Sequence, residues 1–80
     1  MLKDVFKKTV QEGDEVVLLV KEYGYRKLKD AYLGDAVYIG ESQYGHEFIN
    51  KDEKDEWLED HNSVTPYRLK KPECVLVGGN

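Results

Sequence analysis

The chain is poor in the groups that build chemistry or cross a bilayer. It has one cysteine (Cys74), two histidines (His46 and His61), one tryptophan and two prolines in 80 residues. A single cysteine excludes an intramolecular disulfide, and a four-ligand zinc site would have to draw on that one thiol and both imidazoles. No structural metal and no cofactor are therefore expected. Cys74 sits in an apolar, strand-like run and reads as a small buried hydrophobe rather than a reactive thiol. The longest apolar runs, Val16 to Val20 and Cys74 to Val77, fall far short of the roughly 20 residues that span a bilayer, and the charged N-terminal stretch has no apolar leader-like region. A cytoplasmic protein with no membrane partner is the expectation.

Catalytic signatures are missing too. There is no GxxxxGKS/T phosphate cradle, no GxGxxG and no GxSxG. Neither histidine has a cysteine or serine nucleophile at a recognisable spacing, so both read as surface or turn residues. The acidic run from Asp52 to Asp60 lacks the glycine and the alternate-position oxygens of a calcium loop. The expectation is a protein that is not an enzyme and works by binding another macromolecule.

What remains is enough to fold. Forty per cent of the residues are hydrophobic and six are tyrosine, which argues against disorder despite 35% charged residues. At this length one minimal domain is expected, spanning residues 1–80, with a core small enough for dimerisation to extend it. Leu2, Val5, Phe6 and Val10 recur at spacings of three and four, which predicts a short amphipathic N-terminal helix ending near Gly13. Glu15 to Val20 reads as a central strand buried on both faces. Residues 21–29 read as a loop or a second strand around Gly24. Ala36–Ile39 and His46–Ile49 read as two strands joined by a turn, and Glu73–Val77 as a closing strand. Asn50 followed by Glu53 has the form of a helix cap, which predicts a short acidic helix from Lys51 to about Asp60 anchored by Trp57 and Leu58. The fold class expected is a β-rich α+β domain: a small, strongly bent antiparallel sheet or an SH3-like barrel carrying two short helices.

The net charge of −4 hides an asymmetry. Residues 30–62 hold ten acidic and two basic side chains, a local charge of −8, and the remainder carries +4. On a helix, Asp52, Glu56 and Asp60 fall at i, i+4 and i+8 with Asp55 and Glu59 beside them. Carboxylates about 5–6 Å apart along a ridge approximate the regular negative charge of a nucleic-acid backbone. One reading is thus a decoy for the phosphate-binding surface of a basic protein; the other is a solvated helix face. A contrary signal lies in Tyr23, Tyr25, Arg26 and Lys27, where aromatic and basic residues interleave as in single-strand-binding modules. The overall acidity opposes direct association with nucleic acid.

Ala31-Tyr-Leu-Gly-Asp-Ala-Val-Tyr38 resembles the segment carrying a metal-binding aspartate in ribonuclease III-type enzymes, which would nominate Asp35 and imply a helix there. The family sets this segment in an all-α domain longer than the whole chain, and the β-branched pattern around Ile39-Gly40 opposes it. The same residues from Tyr32 to Tyr38, followed by Tyr44-Gly45 and the strand to Ile49, are more similar to a turn-and-strand pattern of small phage-encoded proteins. That resemblance covers about twenty residues and departs in the acidic stretch after Ile49. It implies a viral accessory protein acting in the host cytoplasm, a class that includes inhibitors and nucleic-acid mimics. Together these readings predict that Asp52, Glu53, Asp55, Glu56, Trp57, Glu59 and Asp60 bind and inhibit a basic host protein, such as a DNA-binding or nucleoid protein. The alternative is an SH3-like adaptor or nucleic-acid module using Tyr23, Tyr25, Arg26 and Lys27, and the more distant one a metal-dependent nuclease.

Overall fold

The computed structural model describes residues 1–19, 22–23, 26–27 and 34–78. Its strands in chain order are β1 (Leu2–Lys3), β2 (Thr9–Val10), β3 (Glu15–Leu18), β4 (Glu22–Tyr23), β5 (Arg26–Lys27), β6 (Asp35–Ser42), β7 (Gly45–Asn50), β8 (Tyr67–Leu69) and β9 (Cys74–Leu76). A 3-10 turn (Lys51–Glu53) running into helix α1 (Lys54–Glu59) separates β7 from β8. Five strands form one antiparallel sheet in the order β8-β7-β6-β3-β9, while β1 pairs with β2 and β4 with β5 as separate ladders.

Because successive side chains in a strand point to opposite faces, the sheet sorts its apolar residues into two layers. Val16, Leu18, Ala36, Tyr38, Phe48, Tyr67 and Cys74 form the principal core, and Leu2 and Val10 of the N-terminal hairpin close over it. Their neighbours Val37 and Ile49 look the other way and are covered by Trp57 and Val64, with Ile39 at the margin. The second layer covers only the β6–β7 side. This is why β3 is not buried on both faces, as its unbroken apolar run predicts: Val16 and Leu18 are buried, whereas Glu15 and Val17 are only partly covered.

The N-terminal helix is replaced by the β1–β2 hairpin. Leu2 and Val10 face inward as cross-strand partners, and Val5 and Phe6, which a helix would have placed on the same apolar stripe, are 44% and 69% exposed. Asp4 supplies the reason. Its carboxylate accepts the backbone N–H groups of Phe6 and Lys8, both at 2.9 Å, and Lys7 turns into the left-handed region at φ 67°. A short polar side chain that satisfies nearby amides competes directly with helical hydrogen bonds, and a helix of ten residues is marginal without packing. Among the described residues there is thus one short helix, not two.

The sheet does not close into a barrel. Its ends, β8 and β9, do not pair with each other. The outer edge of β9 is instead taken by the N-terminal segment: Val5 N–H donates to the Cys74 carbonyl at 2.9 Å and Leu76 N–H to Asp4 Oδ2 at 3.0 Å.

The β6–β7 hairpin carries two backbone devices that shape the site. A bulge after Tyr38 inserts Ile39 and leaves Gly40 at φ 124°, with the Glu12 side chain lying over the glycine. At the tight turn, Gly45 has φ 117°, and a Cβ there would stand 2.8 Å from the Leu69 carbonyl oxygen. That atom is backbone and cannot swing aside. Gly45→Ala is therefore expected to lower stability by about 1–3 kcal/mol, read as a fall in the urea midpoint at unchanged slope; an unchanged midpoint would show that the turn relaxes freely.

Candidate functional site

The acidic helix begins where β7 ends. Asn50, buried at the strand terminus, pairs reciprocally with Glu53 in a capping box, the Asn50 N–H donating to Glu53 Oε1 at 3.0 Å. Glu53 is thereby committed to holding the helix start. Trp57 is the one buried residue of α1, 6% exposed, and packs onto Val37, Ile49 and Val64. Leu58, expected as a second anchor, is 56% exposed. A six-residue helix lying on a sheet buries one narrow stripe, and adjacent positions about 100° apart cannot both be on it.

The i, i+4, i+8 ridge is likewise broken. Asp52 lies in the 3-10 turn, and Asp60 leaves the helix in an extended conformation, φ −149° and ψ 108°. Asp60 Oδ1 accepts the Asn62 N–H at 3.0 Å, while the Ser63 hydroxyl donates to the Asp60 carbonyl at 2.7 Å and lies 3.2 Å from that of Glu56. The chain closes its own helix terminus and in doing so ends the ridge. Asp52, Asp55, Glu56, Glu59 and Asp60 are nevertheless all solvent-exposed, around a short convex cap instead of along a line. The Lys51 ammonium, at the start of this segment, sits 3.7 Å from the Glu15 carboxylate on β3.

Beside the helix terminus runs a groove of about 410 Å³, lined by Glu12, Ile39, Glu47, Trp57, His61, Asn62, Val64, Thr65, Pro66 and Arg68. The His61 ring lies flat on the indole of Trp57, centroids 4.3 Å apart and planes within 7°. Arg68 Nε donates to Glu47 Oε2 at 2.9 Å, the Ser42 hydroxyl donates to the same oxygen, and the guanidinium stands 4.7 Å over the Tyr44 ring. Glu47 and Arg68 are cross-strand partners in the β7–β8 ladder. Sequence reasoning passed over Glu12, Glu47 and Arg68 as site residues and read His61 only as a surface or turn residue, and it is exposed in a turn here. The only signal was the opposite charge of Glu47 and Arg68, which has meaning only once the register is known.

On the other face, Tyr38 and His46 share a hydrogen bond of 2.9 Å between the phenol oxygen and Nδ1. Burial first, and then the negative charges of Glu41 and Glu12, push the Tyr38 phenol above its ordinary value. Burial, with the Asp4 charge added, pushes the Cys74 thiol up to about 11. A thiol that stays protonated at neutral pH is a poor nucleophile, so Cys74 serves the core.

The alternative sites are only partly in view. Tyr23 and Arg26 are cross-strand partners in the β4–β5 ladder, as are Glu22 and Lys27, whereas Tyr25 lies outside the described residues. Asp35 opens β6 opposite Val17, on a strand and not on the helix that the ribonuclease III-type resemblance implies. Among the described residues no group of three His, Cys, Asp or Glu side chains could hold a metal ion, and no helix is long and apolar enough to cross a membrane. Compared with known proteins, the chain matches no family model, and searches of curated proteins and of solved structures gave no match.

Proposed function

We propose that the protein is a non-enzymatic binding module that captures a basic protein through the acidic cap of residues 52–60 and competes there with nucleic acid. One observation carries this reading: Trp57 pins the helix from beneath while Asp52, Asp55, Glu56, Glu59 and Asp60 are exposed around it. Like charges this close on a short helix oppose each other by a few tenths of a kcal/mol per pair, so the arrangement works against the helix and favours a cationic partner. The likeness to nucleic acid is one of charge density, not of a straight ridge. In the phage setting that the Tyr32–Tyr38 resemblance implies, the partner is a basic host protein of the DNA-binding or nucleoid kind, and the consequence of capture is inhibition.

The test is capture from host lysate at low and high salt, with and without competing duplex DNA, followed by titration of the recovered partner. Electrostatic capture weakens steeply with salt, and the combined variant Asp52→Ser, Glu56→Ser, Asp60→Ser is expected to bind on the order of tenfold more weakly at low salt. Equal binding by that variant, or recovery only of a neutral partner indifferent to salt, rejects the proposal. A second reading, an SH3-like adaptor or single-strand-binding module, is favoured by the register that sets Tyr23 opposite Arg26. It predicts an electrophoretic shift of single-stranded DNA or RNA at moderate salt, and no shift at tens of micromolar protein removes it.

A further inference from the structure

The groove beside the helix has an unbalanced charge. Glu47 and Arg68 neutralise each other at 2.9 Å. Glu12, held over Gly40 at the bulge, makes no hydrogen bond or ion pair with any described residue, and its carboxylate carbon would stand only 3.2 Å from a Cβ at that glycine. A side chain at Gly40 would press on the Glu12 carboxyl group, which would have to give by a few tenths of an ångström. The groove lining is mixed: Glu47, His61, Asn62, Thr65 and Arg68 are polar, and the half-buried Ile39 and Pro66 add apolar surface beside the buried Trp57 and Val64. A carboxylate without a cationic partner among the described residues, beside the half-buried Ile39 and Pro66 and next to an acidic helix, is complementary to a long aliphatic stem ending in a cation.

We propose that this groove is the site at which the basic partner inserts an arginine side chain, its methylenes on Ile39 and Pro66 and its guanidinium on the Glu12 carboxylate. This rests on the capture of a basic protein proposed above and adds where its anchoring residue goes. Arginine fits better than lysine because a planar fork can take both carboxylate oxygens and lie against a ring. The protein already holds one arginine this way, Arg68, with Nε on Glu47 and its guanidinium over Tyr44. The exposed carboxylates of the helix then steer the partner, and the groove fixes its register.

The experiment titrates the 15N-labelled full chain with the capped tripeptide acetyl-Gly-Arg-Gly-amide and with its uncharged citrulline analogue. Trp57, the only tryptophan, lines the groove and gives a single indole N–H resonance to follow. The expected result is a saturable shift of that resonance and of the Ile39 and Val64 amides with the arginine peptide and not with the citrulline one. Glu12→Gln should weaken binding by about three- to fivefold, as for an exposed charge pair, while leaving the unliganded spectrum otherwise unchanged. Shifts confined to residues 52–60, or a Glu12→Gln titration identical to wild type, overturn the groove assignment and leave the acidic-cap reading standing. A groove that responds to the peptide while lysate capture shows no salt-sensitive basic partner rejects the acidic-cap reading instead, and with it the partner to which the arginine was assigned.

Discussion

Trp57→Ala is expected to destabilise the protein by about 3–5 kcal/mol, while Leu58→Ala, one position further on, should change stability by no more than about 0.5 kcal/mol. The two residues are neighbours in sequence and similar in hydrophobicity, but one is 6% exposed and the other 56%. Removing the indole takes out the one buried residue that α1 contributes to its cluster with Val37, Ile49, Val64 and Ile39, and leaves a cavity among them. A domain of 80 residues has a total stability of about 4–12 kcal/mol at ordinary values per residue, so the loss takes a large share of it. Urea unfolding followed by far-ultraviolet circular dichroism separates the variants. A small effect at Trp57, or a large one at Leu58, would mean that the helix is attached by another surface, and the placement of the acidic cap would fall with it.

Asp4→Asn should loosen the N-terminal hairpin and the β9 edge together, with a pH signature. The carboxylate is buried, and burial opposes its charged form; the N–H groups of Leu76, Lys8 and Phe6, helped by the positive charge of Lys8, outweigh burial and hold its pKa below the ordinary value of 3.8. A folded-state pKa below the unfolded one adds stability that is fully present above the unfolded value and disappears as pH falls through the folded value. The wild-type hairpin is therefore expected to stay intact down to about pH 4 and to weaken only below it. In the asparagine variant an amide NH2 takes the place of one acceptor oxygen, leaving a buried backbone donor without its partner at every pH. The variant should have the lower thermal midpoint at neutral pH, and the difference should shrink as the solution is acidified and the wild type protonates. A difference that stays constant from pH 7 to pH 2 would show that the carboxylate's charge plays no part.

The same residue explains what the sequence conceals. The β6–β7 hairpin is legible because Gly34-Asp35 opens a short apolar run and Tyr44-Gly45 turns the chain before the next; the helix cap is legible because Asn50 and Glu53 stand at the spacing their hydrogen bonds require. Both are local. The N-terminal decision is not, since Leu2, Val5, Phe6 and Val10 satisfy helical spacing and the preference is reversed by a carboxylate whose second oxygen reaches Leu76 at the far end of the chain. The groove is illegible for a related reason. Glu12, Glu47 and Arg68 are assembled by a strand register and a bulge, and hydrophobic periodicity carries no information about either. The broken acidic ridge is an intermediate case: the cap residues announce the helical segment and its end falls within one residue of the Asp60 expected, whereas the 3-10 start at Asp52 and the extended backbone of Asp60, to whose carbonyl Ser63 folds back, are not announced.

The edge of β9 has a bearing on how the molecule behaves in a crowded solution. Val75, Leu76 and Val77 make an apolar strand with one side already paired to β3, and a bare outer side would be a template for intermolecular strand addition. Val5 and the Asp4 carboxylate occupy that side, so the row of amides and carbonyls that would recruit another chain is already engaged, at one point by a buried negative charge. The opposite edge strand, β8, is followed by the exposed Lys70 and Lys71, charges that discourage pairing in a different way. Resistance to edge-to-edge pairing is thus built into both margins of the sheet, by hydrogen bonds at one and by charge at the other.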